Sequence, residues 1–174
     1  MEFLSSFHPQ IVHFPIALII FSLVFDLVGR ALDSEWWHKA SLAMLVVAVL
    51  GGAAAVLTGE QVSEKAEERQ GIPEATVDAH GDMGKLAAWL AGGALVARLV
   101  ENGVAPARTL VGVVALLLQL GAAVMVGIAG HRGGKLVYEH GAGVTIQGRL
   151  IRAPGAAPAA GAAATPPPGA APQH

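Results

Sequence analysis

Five histidines of this sequence stand at or just outside the ends of long apolar runs: His8, His13, His80, His131 and His140. An ionisable side chain at membrane depth is costly, so such a residue counts as a functional candidate by default. Imidazole nitrogens bind haem iron, and they also bind zinc, copper and non-haem iron. The histidines therefore predict a bound cofactor, provided that the fold brings them together.

The first hypothesis is a haem held between helices. Facing helices of a bundle can each supply one imidazole to a single iron, and small residues beside them leave room for the macrocycle. The chain has no cysteine, so the haem would be non-covalent and of the b type. The axial pair is expected among His13, His80 and His131, with His8 and His140 as further cofactor-binding candidates. The basic residues suited to the propionates are Arg69, Arg132 and Lys135.

Two other hypotheses remain open. In the first, His13, His80 and His131 bind a non-haem metal, namely copper, zinc or iron, and Glu60 or Asp82 completes the site. In the second, the histidines only cap helices or pack against neighbours. The protein is then a cofactor-free subunit of a respiratory or photosynthetic complex.

Composition indicates a membrane protein. Of 174 residues, 53% are hydrophobic and 14% are charged, whereas a soluble domain carries roughly 25% charged residues. The net charge of −2 gives no basic surface for nucleic acid. No basic segment precedes the first apolar run and no small-residue cleavage site follows it, so we expect that run to be a retained helix.

Four apolar runs are predicted to cross a bilayer, which takes about 20 residues; the third, of 15 residues, is the shortest. They cover residues 11–32, 39–58, 86–100 and 108–129. The second helical pattern continues beyond the bilayer until Gly71 and Pro73, and Pro73 is a suitable start for the third helix. The first helix is expected to start near His13, or at Pro9 with a kink at Pro15.

The predicted fold is an all-α membrane protein, a four-helix transmembrane bundle. A Gly/His-rich loop is expected after the fourth helix, over residues 130–144. Residues 1–152 form the transmembrane domain, and residues 153–174, rich in Ala, Pro and Gly, form a disordered tail. With four spans, all five candidate histidines lie on one membrane face and His38 lies on the other.

The membrane orientation rests on two opposing signals. The total of Lys and Arg is larger on the histidine face, which favours that face inside. No basic residue precedes the first helix, however, and Arg30 and Lys39 follow it, which favours the histidine face outside. Because the first helix usually dominates, we expect the histidines to face outwards.

The remaining polar residues have simpler interpretations. Asp26 with Arg30 or Arg98 predicts a buried ion pair that fixes helix packing, and Gln119 predicts an interhelical hydrogen bond. The acidic run over residues 60–74 is typical of a solvated helix and is also suited to docking a basic partner such as a small cytochrome. Since no nucleophile with its base and no phosphate loop is present, the sequence favours an electron-transfer protein or complex subunit over a stand-alone enzyme.

Two long motifs carry a family resemblance. Residues 8–18 (HPQIVHFPIAL) and 133–141 (GGKLVYEHG), together with Thr58-Gly59 and His80, resemble the bacterial membrane family catalogued as domain of unknown function 2231. The resemblance covers roughly residues 5–147. It implies four transmembrane helices in the bacterial inner membrane, surrounded by lipid. Family members joined to cytochrome c-like domains favour haem, electron transfer, a periplasmic histidine face, and a cytochrome or larger membrane complex as partner.

Overall fold

Four long helices make up nearly all of the structure, a computed structural model that describes residues 7–103, 108–146 and 149–156. In chain order the elements are α1 (His8–Leu32), α2 (Glu35–Gln70), α3 (Glu74–Gly103), α4 (Arg108–Tyr138), β1 (Thr145–Ile146) and β2 (Arg149–Leu150). Each helix is long and apolar enough to cross a membrane, and its membrane-spanning stretch of 18 residues has a mean hydropathy of 2.4, 2.4, 1.3 and 2.4 in chain order. The predicted all-α, four-span architecture is confirmed.

The connection between α2 and α3 forms where the sequence predicts it. Gly71 ends α2 in the left-handed conformation (φ 69°), which glycine adopts without a steric penalty. Its N–H donates to the Glu67 carbonyl at 3.0 Å, and the Ile72 N–H donates to the Ala66 carbonyl at 3.2 Å. These two bonds satisfy carbonyls that a helix end leaves open. The Pro73 carbonyl then accepts the Thr76 N–H at 2.9 Å and so starts α3.

The helices pack in a ring, in which α1 contacts α2, α2 contacts α3, α3 contacts α4 and α4 contacts α1. The most extensive contacts are between α1 and α2 and between α3 and α4, and α1 and α3 lie across the bundle from each other. The central core is rich in alanine: its members are Ile19, Leu45, Ala48, Ala87, Ala91, Ala94, Ala122 and Val126. Small residues at helix contacts let backbones approach closely, which supports association inside a membrane.

The first helix starts at His8, so Pro15 lies inside it rather than at its start. The Pro15 ring is buried, and a Cβ atom on Gly51 of α2 would stand 3.3 Å from its Cδ. Gly51 therefore leaves the space that the proline ring needs. This contact lets α1 and α2 approach closely at Gly51.

The fourth helix continues to Tyr138, so the prediction of a loop from residue 130 is wrong for its first nine positions. Each glycine in a helix costs about 1 kcal/mol relative to alanine. Leu136 is nevertheless buried in a second apolar cluster with Ala66, Ile72, Val77 and Ala153. Burial of this side chain favours the helical turns that carry it, and tertiary packing here overcomes the low helix propensity of glycine.

The segment after α4 folds back onto the end of α2 through Gln70. The Gln70 side chain is 2% exposed; its Nε2 donates to the carbonyls of Gly141 and Ile151, both at 2.8 Å. Its Oε1 accepts the Gly143 N–H at 2.9 Å, and its backbone carbonyl accepts the Ala153 N–H at 2.8 Å. Residues 153–156 therefore pack against the bundle, and the rest of the predicted tail, residues 157–174, lies outside the described residues.

Candidate functional site

His8 of α1 and His80 of α3 are half-buried at the same end of the bundle, and each contacts a neighbouring helix through Nδ1. They are near enough to interact electrostatically. His80 Nδ1 lies 2.9 Å from the Ala129 carbonyl of α4, and because a carbonyl only accepts, His80 Nδ1 is the protonated nitrogen. The unprotonated lone pair of His80 is therefore on Nε2.

The protonation of His8 follows from its partner, Thr58 of α2. His8 Nδ1 lies 3.0 Å from Thr58 Oγ1, and that hydroxyl is also within hydrogen-bond distance of the Ala54 and Ala55 carbonyls, at 2.9 and 3.2 Å. When the Thr58 proton is directed to one of these carbonyls, Oγ1 accepts from His8 Nδ1, and His8 presents its lone pair on Nε2.

Glycines stand beside both imidazoles. A Cβ atom on Gly59 of α2 would lie 3.0 Å from His8 Cε1, and a Cβ atom on Gly133 of α4 would lie 2.9 Å from His80 Cε1. Larger residues at these two positions would push the rings away. The motif positions Thr58-Gly59 and Gly133 thus shape the surroundings of His8 and His80.

The other three candidate histidines have different surroundings. His13 is exposed on α1, and its ring bonds to the Pro9 carbonyl of its own helix. His131 is exposed near the end of α4 and lines a cavity of about 340 Å³ with Arg132 and Lys135. His140 is half-buried and lines another cavity, of about 420 Å³, near Tyr138 and Ile151.

His13, His80 and His131 do not form a three-ligand metal site in the part of the chain that the structure describes. Within residues 7–103, 108–146 and 149–156, no group of three or more His, Cys, Asp or Glu side chains is arranged to hold a metal ion. Arg132 and Lys135, suggested for the propionates, line the cavity beside His131. What the structure does bring together is the pair of His8 and His80.

The opposite end of the bundle contains a cluster of alternating charges, which we call the charged cluster: Asp26, Arg30, His38, Arg98 and Glu101. Asp26 Oδ1 lies 2.5 Å from Arg98 Nη2, and Arg98 Nη1 lies 2.7 Å from Glu101 Oε2. Arg30 closes the ring, with Nη2 3.4 Å from Glu101 Oε1 and Nε 3.2 Å from Asp26 Oδ2. Two carboxylates and two guanidinium groups thus balance each other.

The charged cluster joins all four helices. Asp26 and Arg30 belong to α1, and Arg98 and Glu101 belong to α3. His38 of α2 places Nδ1 3.0 Å from Asp26 Oδ1, and Arg30 Nη2 donates to the Gly112 carbonyl of α4 at 3.1 Å. The Asp26 side chain is fully buried, and those of Arg98 and Glu101 are 4% and 11% exposed.

The predicted ion pair of Asp26 is confirmed with both Arg30 and Arg98, but the sequence reasoning missed His38 and Glu101 as its neighbours. Two spacings in the sequence could have indicated the members of the charged cluster. Asp26 and Arg30 are four residues apart, and Arg98 and Glu101 are three apart, so each pair shares one helix face. Gln119 is fully buried, and its Nε2 reaches Ser22 Oγ only at 3.5 Å.

Comparison with known proteins identifies a family. No curated protein and no solved structure matches this chain. A family model described as a predicted membrane protein (DUF2231) matches residues 5–146, which include all four helices and both motifs that carry the resemblance. The chain therefore belongs to the DUF2231 family of predicted membrane proteins.

Proposed function

We propose that this protein is a membrane electron-transfer protein that binds haem b through His8 and His80. The carrying observation is that each imidazole places Nδ1 at hydrogen-bond distance from an oxygen of a neighbouring helix, Thr58 Oγ1 for His8 and the Ala129 carbonyl for His80. With Nδ1 donating in both contacts, each ring presents Nε2 for a bond to iron. Histidines that ligate metals usually donate their second N–H in this way, which fixes the ring and its tautomer.

The positions of the two histidines in the bundle also fit a haem. His8 lies on α1 and His80 on α3, which face each other across the ring of helices. Bundle cofactor sites are built from side chains of facing helices. Gly59 and Gly133 leave the two rings free of side-chain atoms on their helix-facing sides.

The number of ligands favours haem over a non-haem metal. A porphyrin occupies four positions around iron, so two protein imidazoles complete the coordination. A structural zinc site takes four protein ligands and a catalytic one takes three. The described residues offer a pair at this end and no group of three. Bound haem would supply one-electron chemistry at its iron, and the chain would hold it and orient the axial imidazoles.

The proposal includes the orientation of the protein in the membrane and its redox partner. We place the histidine end on the periplasmic side of the bacterial inner membrane, because Arg30 and Lys39 flank the opposite end of α1. The acidic stretch of residues 60–74 is at the histidine end, where it is suited to docking a soluble cytochrome with a basic surface. Reporters after Arg152 and near Gly71 should both be active outside the cell membrane, and one near Gly103 should be active inside.

The absorption spectrum of protein purified from haem-replete cells tests the proposal. We expect a b-type Soret band and a sharp α-band on reduction. Two imidazoles make the iron low-spin, so His8→Ala and His80→Ala should each lose the haem or leave it five-coordinate and high-spin. His13→Ala is the matched control: His13 is also a helix-end histidine of α1, but it is exposed and bonds within its own helix.

Each outcome is informative. Loss of the α-band in His13→Ala or His131→Ala, with His8→Ala unchanged, would move the axial role to the histidines that the sequence alone favoured. A colourless protein with stoichiometric copper or zinc would assign the site to a non-haem metal. A colourless protein without metal that co-purifies with a larger complex would leave a structural subunit.

A further inference from the structure

The level of the bundle next to the histidines is less filled than the levels nearer the membrane centre. On α3, one stripe of positions faces the bundle interior: His80, Gly84, Ala87 and Ala91. Ala87 and Ala91 are 2% and 0% exposed. Gly84 is only half-buried, and nothing lies within 4 Å of a Cβ atom built on it. The interior therefore contains open space one helical turn from His80.

The space extends to α2 at Ala55. A Cβ atom on Gly52 would stand 3.8 Å from the Ala88 Cβ, so these residues of α2 and α3 are neighbours. Because the two helices run in opposite directions, Ala55 lies at the level of Gly84, about one turn nearer the histidines. Ala55 follows the fully buried Ala48 by seven residues and so faces the interior as Ala48 does. Ala55 is nevertheless half-buried, so both helices leave this level partly uncovered.

The α4 side of the same level is closed. Val126 and Ala129, on the interior face of α4, are each 6% exposed. His80 turns Nδ1 towards the Ala129 carbonyl, and α3 contacts α4 more extensively than it contacts α2. The open space therefore lies on the α2 side of His80.

A haem needs space of this kind beside its ligands. The macrocycle is flat and extends sideways from the iron, well beyond the imidazoles, so it must pass the helical turns next to the ligating residues. A large side chain on such a turn would collide with it. Glycine or alanine there leaves the helix surface flat, as a cofactor site between facing helices requires.

We propose that Gly84 and Ala55 line the haem pocket and that the macrocycle lies between α2 and α3. This inference rests on the proposed haem ligation by His8 and His80, and it adds the side of the bundle on which the haem lies. Gly84 and Ala55 do not bind iron. They are positioning residues, because the space that they leave decides which way the macrocycle can extend from its ligands.

Filling the space tests the inference. Purified apoprotein of Gly84→Leu is titrated with haem, and growth of the Soret band measures binding. The affinity should fall about 10- to 100-fold, as expected from overfilling a packed site. Haem that still binds should keep the low-spin α-band, because both imidazoles are intact. The spectrum thus distinguishes a loss of space from the loss of a ligand in His8→Ala or His80→Ala.

The apoprotein should tolerate the same change. Nothing lies within 4 Å of a Cβ on Gly84, and leucine is a better helix former than glycine, so the melting temperature should not fall. Gly92→Leu is the matched control. Gly92 also has nothing within 4 Å of a Cβ, but it follows Ala91 directly and so faces about 100° away from the interior stripe. This variant should bind haem as the parent protein does.

Ala55→Leu fills the space from α2 and should weaken haem binding in the same way, which keeps the inference testable if Gly84→Leu does not fold. Parent-like affinity in both Gly84→Leu and Ala55→Leu would overturn the inference and leave the ligation by His8 and His80 standing. Equal weakening in Gly92→Leu would also overturn it, because the loss would then not depend on the interior space. A parent protein that takes up no haem would remove the proposed function, and this inference with it.

Discussion

The two ends of the bundle use polar side chains in opposite ways. In the charged cluster every charged group has at least two partners, and the contacts reach all four helices. At the histidine end, His8 bonds only to α2 and His80 only to α4 among the described contacts. The cluster is thus suited to holding helices together, whereas each imidazole links its own helix to one neighbour only.

The largest expected difference between the ends comes from Asp26→Asn. This change leaves Arg98 and Arg30 facing one carboxylate instead of two, and breaking a buried pair typically costs about 3–5 kcal/mol. Unfolding of the purified protein in detergent micelles measures the loss. Ser22→Ala is the matched control, because Ser22 is equally buried on α1 but uncharged, and we expect a loss of about 0.5–1.5 kcal/mol. A loss below that of Ser22→Ala would contradict a stabilising role for the cluster.

A smaller effect is expected at the histidine end from Gln70→Ala. The change removes three hydrogen bonds that hold the segment after α4, and each buried group left unpaired costs about 1–3 kcal/mol. Because those bonds hold one segment, we expect proteolysis between residues 139 and 153 to accelerate while the helices stay folded. Gln10→Ala, at an exposed position of α1, should leave the cleavage rate unchanged. Cooperative unfolding of the whole bundle in Gln70→Ala would show that the two ends are not energetically separate.

The smallest effect separates two neighbouring glycines of α4. Glycine to alanine inside a helix gains about 1 kcal/mol, and nothing lies within 4 Å of a Cβ on Gly134, so Gly134→Ala should raise the melting temperature. In Gly133→Ala the new Cβ would displace the His80 ring from Ala129. The lost hydrogen bond, worth about 1 kcal/mol, should cancel the gain. Equal stabilisation by both changes would mean that Gly133 does not position His80.

Most of the fold follows from the sequence because its determinants are local. Runs of apolar residues set the four spans, and Gly71 with Pro73 sets the boundary between α2 and α3. The end of α4 was predicted nine residues early because the prediction used only the local glycine content of the segment. Burial of Leu136 against Ala66 and Ile72, distant in the chain, decides that region instead.

The site was less predictable than the fold. Composition and topology place His8 and His80 on one face, but their selection over His13 and His131 depends on which way each ring turns. The orientation of each ring depends on its contact with Thr58 or Ala129, which lie about 50 residues away in the chain. No spacing of residues within one helix predicts these contacts. His38 was set aside for lying on the other face, and its proximity to Asp26 appears only when α1 and α2 are packed.

The order of synthesis decides when the members of the charged cluster can meet. The Asp26 carboxylate enters the membrane region with α1, whereas its closest partner, Arg98, belongs to α3. Roughly 70 residues separate them, which at 5–20 residues per second takes roughly 4–14 s to translate. Throughout that interval the nascent chain can offer Asp26 only Arg30 and then His38. These two residues therefore pair with the Asp26 carboxylate first and keep that contact in the folded protein, and Arg98 joins them only when α3 arrives.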